Sequence, residues 1–224
     1  PASQSVTSAA GMHKFITMQN QASKPTISGT QLAAIYTKTS GAGLQELYWE
    51  NEAGTELKLT SRGGIGVSGS IVQMVEGNTA TVTAVTARIG ADFTPEWTTS
   101  IGTEILTKAI TPTNASNLLR IDFVVQCTTA QASNSGAIGL MQDATVNALY
   151  AIGCSDPRDP NSPFTIVGTH WMTAGTTSST TFKLRAASTN DTGSGTLYVN
   201  GNTSSVALFN GKSRARIIIT EINV

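Results

Sequence analysis

The chain has 224 residues, enough for one substantial hydrophobic core or for a small domain beside a larger one. Fourteen basic and fourteen acidic residues leave no net charge, which argues against sequence-independent nucleic-acid binding, since that needs a basic excess to displace counterions. Charged residues are 12% of the chain, against about 25% in an average soluble domain. Ser, Thr, Asn, Gln and Gly carry the polarity instead, as suits a β-rich surface or one largely covered by partners.

Residues 1–43 read as an extended N-terminal arm. Pro1 is taken as what remains after removal of an initiator methionine, with synthesis in a host cytoplasm. The arm has weak periodicity and few large residues. Met12, Phe15, Ile16 and Met18 form one apolar cluster, and Leu32, Ile35 and Tyr36 another. Such a segment cannot alone offset the entropy of ordering it. It packs along its own head or docks on neighbouring subunits, with Met12, Phe15, Ile16 and Met18 as anchor.

Residues 44–90 read as a hairpin and connector. In LQELYWENEAGTELKLTSRGGI, residues 44–65, a two-residue loop at Ala53-Gly54 would put Tyr48 and Glu50 with Leu57 and Leu59. A three-residue loop, Glu52-Ala53-Gly54, gathers Leu47, Trp49, Leu57 and Leu59 on one face and Tyr48, Glu50, Glu56 and Lys58 on the other. The second register gives the cleaner amphipathic ribbon and puts Gly at the left-handed position. A two-stranded ribbon does not stand alone in water, so this apolar face is expected to meet copies of itself. The glycines at 63, 64, 66 and 69 read as a joint. Short strands are expected at 71–75 and 80–85 around a turn at Gly77-Asn78, either a second small ribbon or the first strands of the head.

Residues 91–224 read as the head. Strands are expected at 104–110, 118–127, 137–142, 148–153, 164–172, 180–186, 196–199 and 214–222. Leu119, Ile121, Phe123, Val125 and Cys127 alternate with Arg120, Asp122 and Gln126, and Phe182 and Leu184 with Lys183 and Arg185. Ile217, Ile218 and Ile219 are continuous, as in a strand covered on both faces. Turn residues separate the strands, among them Thr113-Asn114, Asn200-Gly201-Asn202 and Asn210-Gly211. The fold class is all-β, a jelly-roll-like sandwich preceded by an arm and a hairpin.

Little here suggests catalysis. His13 and His170 are the only histidines, and His170 reads as a satisfied strand residue. No nucleophile-elbow, zincin, P-loop or dinucleotide fingerprint occurs. With two cysteines and two histidines there is no zinc spacing; Cys127 is expected as a buried free thiol, bridged to Cys154 only if their strands face each other. The segment 156–163, with three prolines, offers oxygen ligands at Asp156, Asp159 and Asn161 but reads as a stiff turn. Lys183, Arg185, Lys212, Arg214 and Arg216 are candidates for a local patch but read rather as scattered solvated or intersubunit charges. Trp97, Trp171, Tyr150 and Tyr198 are candidates for stacking on sugars where exposed. No enzyme activity, cofactor or metal is expected. No apolar run reaches the length of a membrane span, and no membrane partner is expected.

The ELYW strand, NEAGTEL turn and KLTSRGGI return at 44–65 resemble a segment of bacteriophage virion proteins that precedes the head of a fibre or decoration protein. TFKLRAASTNDTGSGTLYVNGN (181–202) with RARIIITEI (214–222) resembles the end of jelly-roll heads on such proteins. That resemblance implies a homotrimer in the virion, either a capsid decoration (cement) protein clamping the major capsid protein or a short tail fibre. The fibre would join a tail component and hold host-surface glycan.

Overall fold

A computed structural model of the protein describes residues 20–21, 33–39, 45–51, 55–61, 64–65, 68–90, 96–131, 135–154, 159–189 and 195–224. They fall into two compact units, Pro1–Ser68 and Gly69–Val224.

In the first unit the strands are β1 (Asn20–Gln21), β2 (Ala33–Thr39), β3 (Gln45–Asn51), β4 (Glu56–Lys58), β5 (Thr60–Ser61) and β6 (Gly64–Ile65). One sheet runs β1-β2-β3-β4, with β1 parallel to β2 and the remaining pairs antiparallel; β5 and β6 form a separate ribbon. The register pairs Trp49 with Leu57 and Tyr48 with Lys58, which is the three-residue-loop register; residues 52–54 themselves lie outside the described residues. One expectation changes. Residues 33–39, assigned by sequence to the extended arm, are a strand along the hairpin. The reason is the same marginality of a two-stranded ribbon: the chain supplies the third strand itself.

The two faces of this sheet differ. Tyr36 and Tyr48 are buried and stacked with centroids 5.8 Å apart, and Tyr36 donates its hydroxyl to Glu56. Glu46 is buried beside them, held by Lys58 Nζ at 3.4 Å and by the Thr60 hydroxyl at 2.7 Å. On the opposite face Ile35, Trp49 and Leu57 form a row across three strands. Ile35 is 55% and Leu57 44% exposed.

In the second unit the strands are β7 (Ile71–Thr79), β8 (Thr83–Val85), β9 (Thr103–Ile110), β10 (Leu118–Thr129), β11 (Gly136–Gln142), β12 (Tyr150–Cys154), β13 (Phe164–Thr173), β14 (Thr180–Ser188), β15 (Leu197–Val199) and β16 (Ala215–Ile222). Every head strand expected from alternation is present, with ends shifted by a residue or two. The long β10 organises the first sheet. One edge carries β13 along residues 118–127; the other carries β16 at 118–124 and β15 at 127–129. Outside these lie β7 on β16 and β8 on β15. The second sheet runs β12-β11-β14-β9.

Counting β7 with β8 as the first strand and β15 with β16 as the eighth gives orders 1-8-3-6 and 5-4-7-2. That is a jelly roll. The inward side chains of both sheets, Leu119, Ile121, Phe123, Val125 and Cys127 with Ile138, Leu140, Phe182 and Leu184, close one core. Both cysteines are free thiols, Cys127 fully buried and Cys154 half-buried. Burial pushes the Cys127 thiol far up, with nearby Cys154 adding to it.

The sandwich therefore begins near Gly69, and of the two sequence readings of residues 71–85, a second ribbon or the head's first strands, the second holds. Gly77-Asn78 is no turn: Gly77 pairs with Ile217 and Asn78 with Arg216. A Cβ at Gly77 would meet Lys108 Cβ at 3.1 Å and Ile217 at 3.2 Å, so the glycine answers to packing.

Candidate functional site

The two sheets differ in what lies on their outer faces. That of β12-β11-β14-β9 is covered by its own chain. Ile89 and Trp97 pack on Ala137, Met141 and Ala187. The covering segment is tied down by Ile89 N–H to Ser188 O at 2.9 Å and Ala148 N–H to Trp97 O at 2.8 Å. Arg185 donates to the carbonyls of Ile101 and Gly102.

The outer face of β7, β16, β10 and β13 is open. Its register sets side chains in rows: Met74, Thr220, Arg120, Trp171; then Glu76, Ile218, Asp122, Thr169; then Asn78, Arg216, Val124, Val167. Met74, Val167 and Trp171 are exposed, Trp171 by 50%. Ile218 is half-exposed on this face, so the Ile217–Ile219 run is covered on one side rather than on both.

Two networks fix the polar groups. Arg120 Nε lies 2.9 Å from an Asp122 oxygen, and Thr169 Oγ1 donates to Asp122 Oδ1 at 2.7 Å. The Arg120 guanidinium stands 5.5 Å from the Trp171 ring centroid, within cation–π range. Arg216 donates to Glu76 at 2.8 Å, and Arg214 to Asn78 Oδ1 at 3.1 Å. The Arg216 hydrogen bond holds the Glu76 carboxyl below its ordinary pKa. Lys212, Arg214 and Arg216 line one depression with Glu76, Asn78 and Val124. Three of the five basic residues expected to be scattered therefore gather, while Lys183 and Arg185 lie on β14 in the other sheet. Nothing but their place on β16 and the turn before it signalled this.

The expected sugar-stacking residues do not form one platform. Trp97 is only 5% exposed and fills the space above Gly139, where a Cβ would approach its ring to 2.4 Å; it is a packing residue. Tyr150 is half-buried, edge-on to Phe123 at 6.2 Å and tilted to His170 at 6.2 Å. Burial lowers the His170 pKa. Tyr198 pairs with Thr128, whereas Trp171 pairs with Arg120; eight positions along β10 separate them by roughly 27 Å. Trp171 alone of the four stands exposed on the open face.

Of the other candidates, Leu47, Trp49, Leu57 and Leu59 share the hairpin face that their register implied, and Met12, Phe15, Ile16 and Met18 lie outside the described residues. So does Asp156. Asn161 is a turn residue at φ 66° whose side chain accepts from Thr203 N–H at 2.8 Å. Among the described residues no group of His, Cys, Asp and Glu could hold a metal ion, and no helix is long and apolar enough to cross a membrane.

No protein-family model and no curated protein matches the chain. Among solved structures it is similar to that of infectious bursal disease virus Gt strain, at 9% identity and TM-score 0.38 over 81% of this chain and 48% of that one. It is similar to the VP2 subviral particle of the same virus at 11% identity and TM-score 0.33, covering 80% and 47%. A third is the enzymatically active domain of bacteriophage CBA120 tailspike protein 4, at 13% identity and TM-score 0.24, covering 57% and 18%. The chain spans about half the length of the bursal disease virus chains that it matches.

Proposed function

We propose that this chain is a non-enzymatic structural protein of a bacteriophage virion, a homotrimeric capsid decoration protein. The observation that carries the reading is the row Ile35, Trp49, Leu57, an apolar strip across a small sheet whose opposite face is already closed by Tyr36, Tyr48 and Glu46. Exposed apolar strips of this kind mark association surfaces. The low charge content and the resemblance of 44–65 to phage virion segments support the same reading. Residues 1–19 would bind coat subunits with Met12, Phe15, Ile16 and Met18 as anchor, and three joined arms bind far more tightly than one through effective concentration.

Antibody-gold labelling of virions tests it, with the expected signal over the whole capsid. Label confined to the tail would overturn the decoration role.

That tail location belongs to a second reading, a short fibre or receptor-binding tip whose jelly roll holds host glycan. The observation that favours it is the open outer face of the first sheet, with exposed Trp171 beside the fixed Arg120–Asp122 pair.

A further inference from the structure

Two shallow depressions lie on the open face of the jelly roll. Arg120, Asp122, Val167 and Thr169 line the first, and Glu76, Asn78, Lys212, Arg214 and Arg216 the second. Val124, at the edge of the second, is the cross-strand neighbour of both Val167 and Arg216, so the two depressions lie next to each other on the sheet. Four cationic side chains, Arg120, Lys212, Arg214 and Arg216, face two carboxylates, Asp122 and Glu76. A chain of zero net charge thus concentrates an excess of two positive charges here. We propose that these neighbouring depressions bind a segment of acidic polysaccharide, with Lys212 and Arg214 meeting its anionic groups and Trp171 flanking a sugar ring.

The division of labour among the side chains supports this ligand class. Arg120 and Arg216 are already paired with Asp122 and Glu76, which fixes both planar guanidinium groups and leaves carboxylate oxygens as acceptors for hydroxyls. Lys212 and Arg214 have no carboxylate partner within ion-pair distance among the described residues. They remain the groups to neutralise a carboxylate, sulfate or phosphate. Thr169, Asn78 and the exposed Trp171 add hydroxyl, amide and aromatic surface. The depressions are open rather than enclosed, which suits a chain lying across a sheet better than a buried small molecule.

Charge decides against the alternatives. A second copy of the same face would bring like charges together. A nucleic acid carries a phosphate at every residue and would set some of them against Asp122 and Glu76, whereas a polysaccharide can turn uncharged hydroxyls to those carboxylates.

The inference rests on the receptor-binding reading, so site and biological role are measured separately. For the site, the full chain is titrated calorimetrically with polygalacturonate, chondroitin sulfate and neutral dextran at low and moderate salt. At least one acidic polymer should bind, more weakly as salt rises, and dextran should not. Combining Lys212→Glu with Arg214→Glu should weaken binding by about a hundredfold, roughly tenfold per charge-assisted contact, with the unfolding midpoint unchanged. Should charge reversal disturb the fold, Lys212→Gln with Arg214→Gln replaces it, with at least about tenfold loss expected. The site is overturned if neither acidic polymer binds, if the variants bind as the wild type does, or if single-stranded DNA binds more tightly than both polysaccharides. For the role, the wild type is tested for adhesion to host cells. Polysaccharide binding without adhesion keeps the site and removes the receptor reading; adhesion unaffected by the variants does the reverse.

Discussion

Glu221 shows how one buried charge can hold several segments of a jelly roll together. It is fully buried and accepts hydrogen bonds from Gln73 Nε2 at 2.6 Å, Asn117 Nδ2 at 2.6 Å, and the Thr113 N–H and hydroxyl at 2.8 Å. The last strand, the first strand and the turn before β10 thus meet at one carboxylate. Burial works to raise its pKa, but the hydrogen bonds from Gln73, Asn117 and Thr113 outweigh it and hold the group below its usual value. A carboxyl depressed in the folded state stabilises above its unfolded pKa of about 4.3, and that contribution is lost as pH falls through the folded value. Glu221→Gln puts an N–H₂ group among donors and is expected to cost about 3 kcal/mol at neutral pH. Denaturant melts at neutral and acid pH check this: the wild type should lose more stability on acidification than the variant, and parallel pH profiles would remove Glu221 from the account. Nothing in RARIIITEI announces this role, because its partners are over a hundred residues away in sequence.

At the scale of elements, alternation carried the reading as far as each strand had one wet and one dry face. Strand β10 obeys it throughout the expected stretch, with Leu119, Ile121, Phe123, Val125 and Cys127 all buried. One strand was cut short and one missed because local chemistry outvoted pattern. Gly77-Asn78 carries the residues of a turn, yet packing against Lys108 and Ile217 keeps it extended, and β2 is too polar around Ile35 and Tyr36 to stand out before its partner is known. The covering residues 86–90 and 96–101 were illegible for a different reason, since their partners lie on the second sheet. Their hold on that sheet depends on Gly139, where a Cβ would sit 2.4 Å from the Trp97 ring. Gly139→Ala should therefore push the indole out and cost about 1–3 kcal/mol. Trp97 fluorescence should shift to the red if the ring gains water, and an unchanged spectrum with unchanged stability would show that the segment gives way without leaving.

For the whole molecule, the deciding feature is that each unit leaves one surface unfinished, and the two surfaces differ in chemistry. The jelly roll's open face carries two ion pairs and two further cations, Lys212 and Arg214; the small sheet's open face is the apolar row Ile35, Trp49, Leu57. Like charges make the first a poor place for copies to meet, whereas apolar strips associate wherever they are brought together. Under the proposed function, self-association would fall to the first unit. Leu57 is 44% exposed in the single chain, and completing the burial of such a side chain contributes roughly 1 kcal/mol per subunit. Leu57→Asp removes that contribution and adds the cost of desolvating a carboxylate. Analytical ultracentrifugation across a range of protein concentrations should find trimers in the wild type and monomers in the variant, with acidic-polysaccharide binding by the individual chain retained. A variant that stays trimeric would move the interface off the hairpin. Loss of both properties together would mean that the two surfaces are not independent, and that self-association is what completes the polysaccharide site.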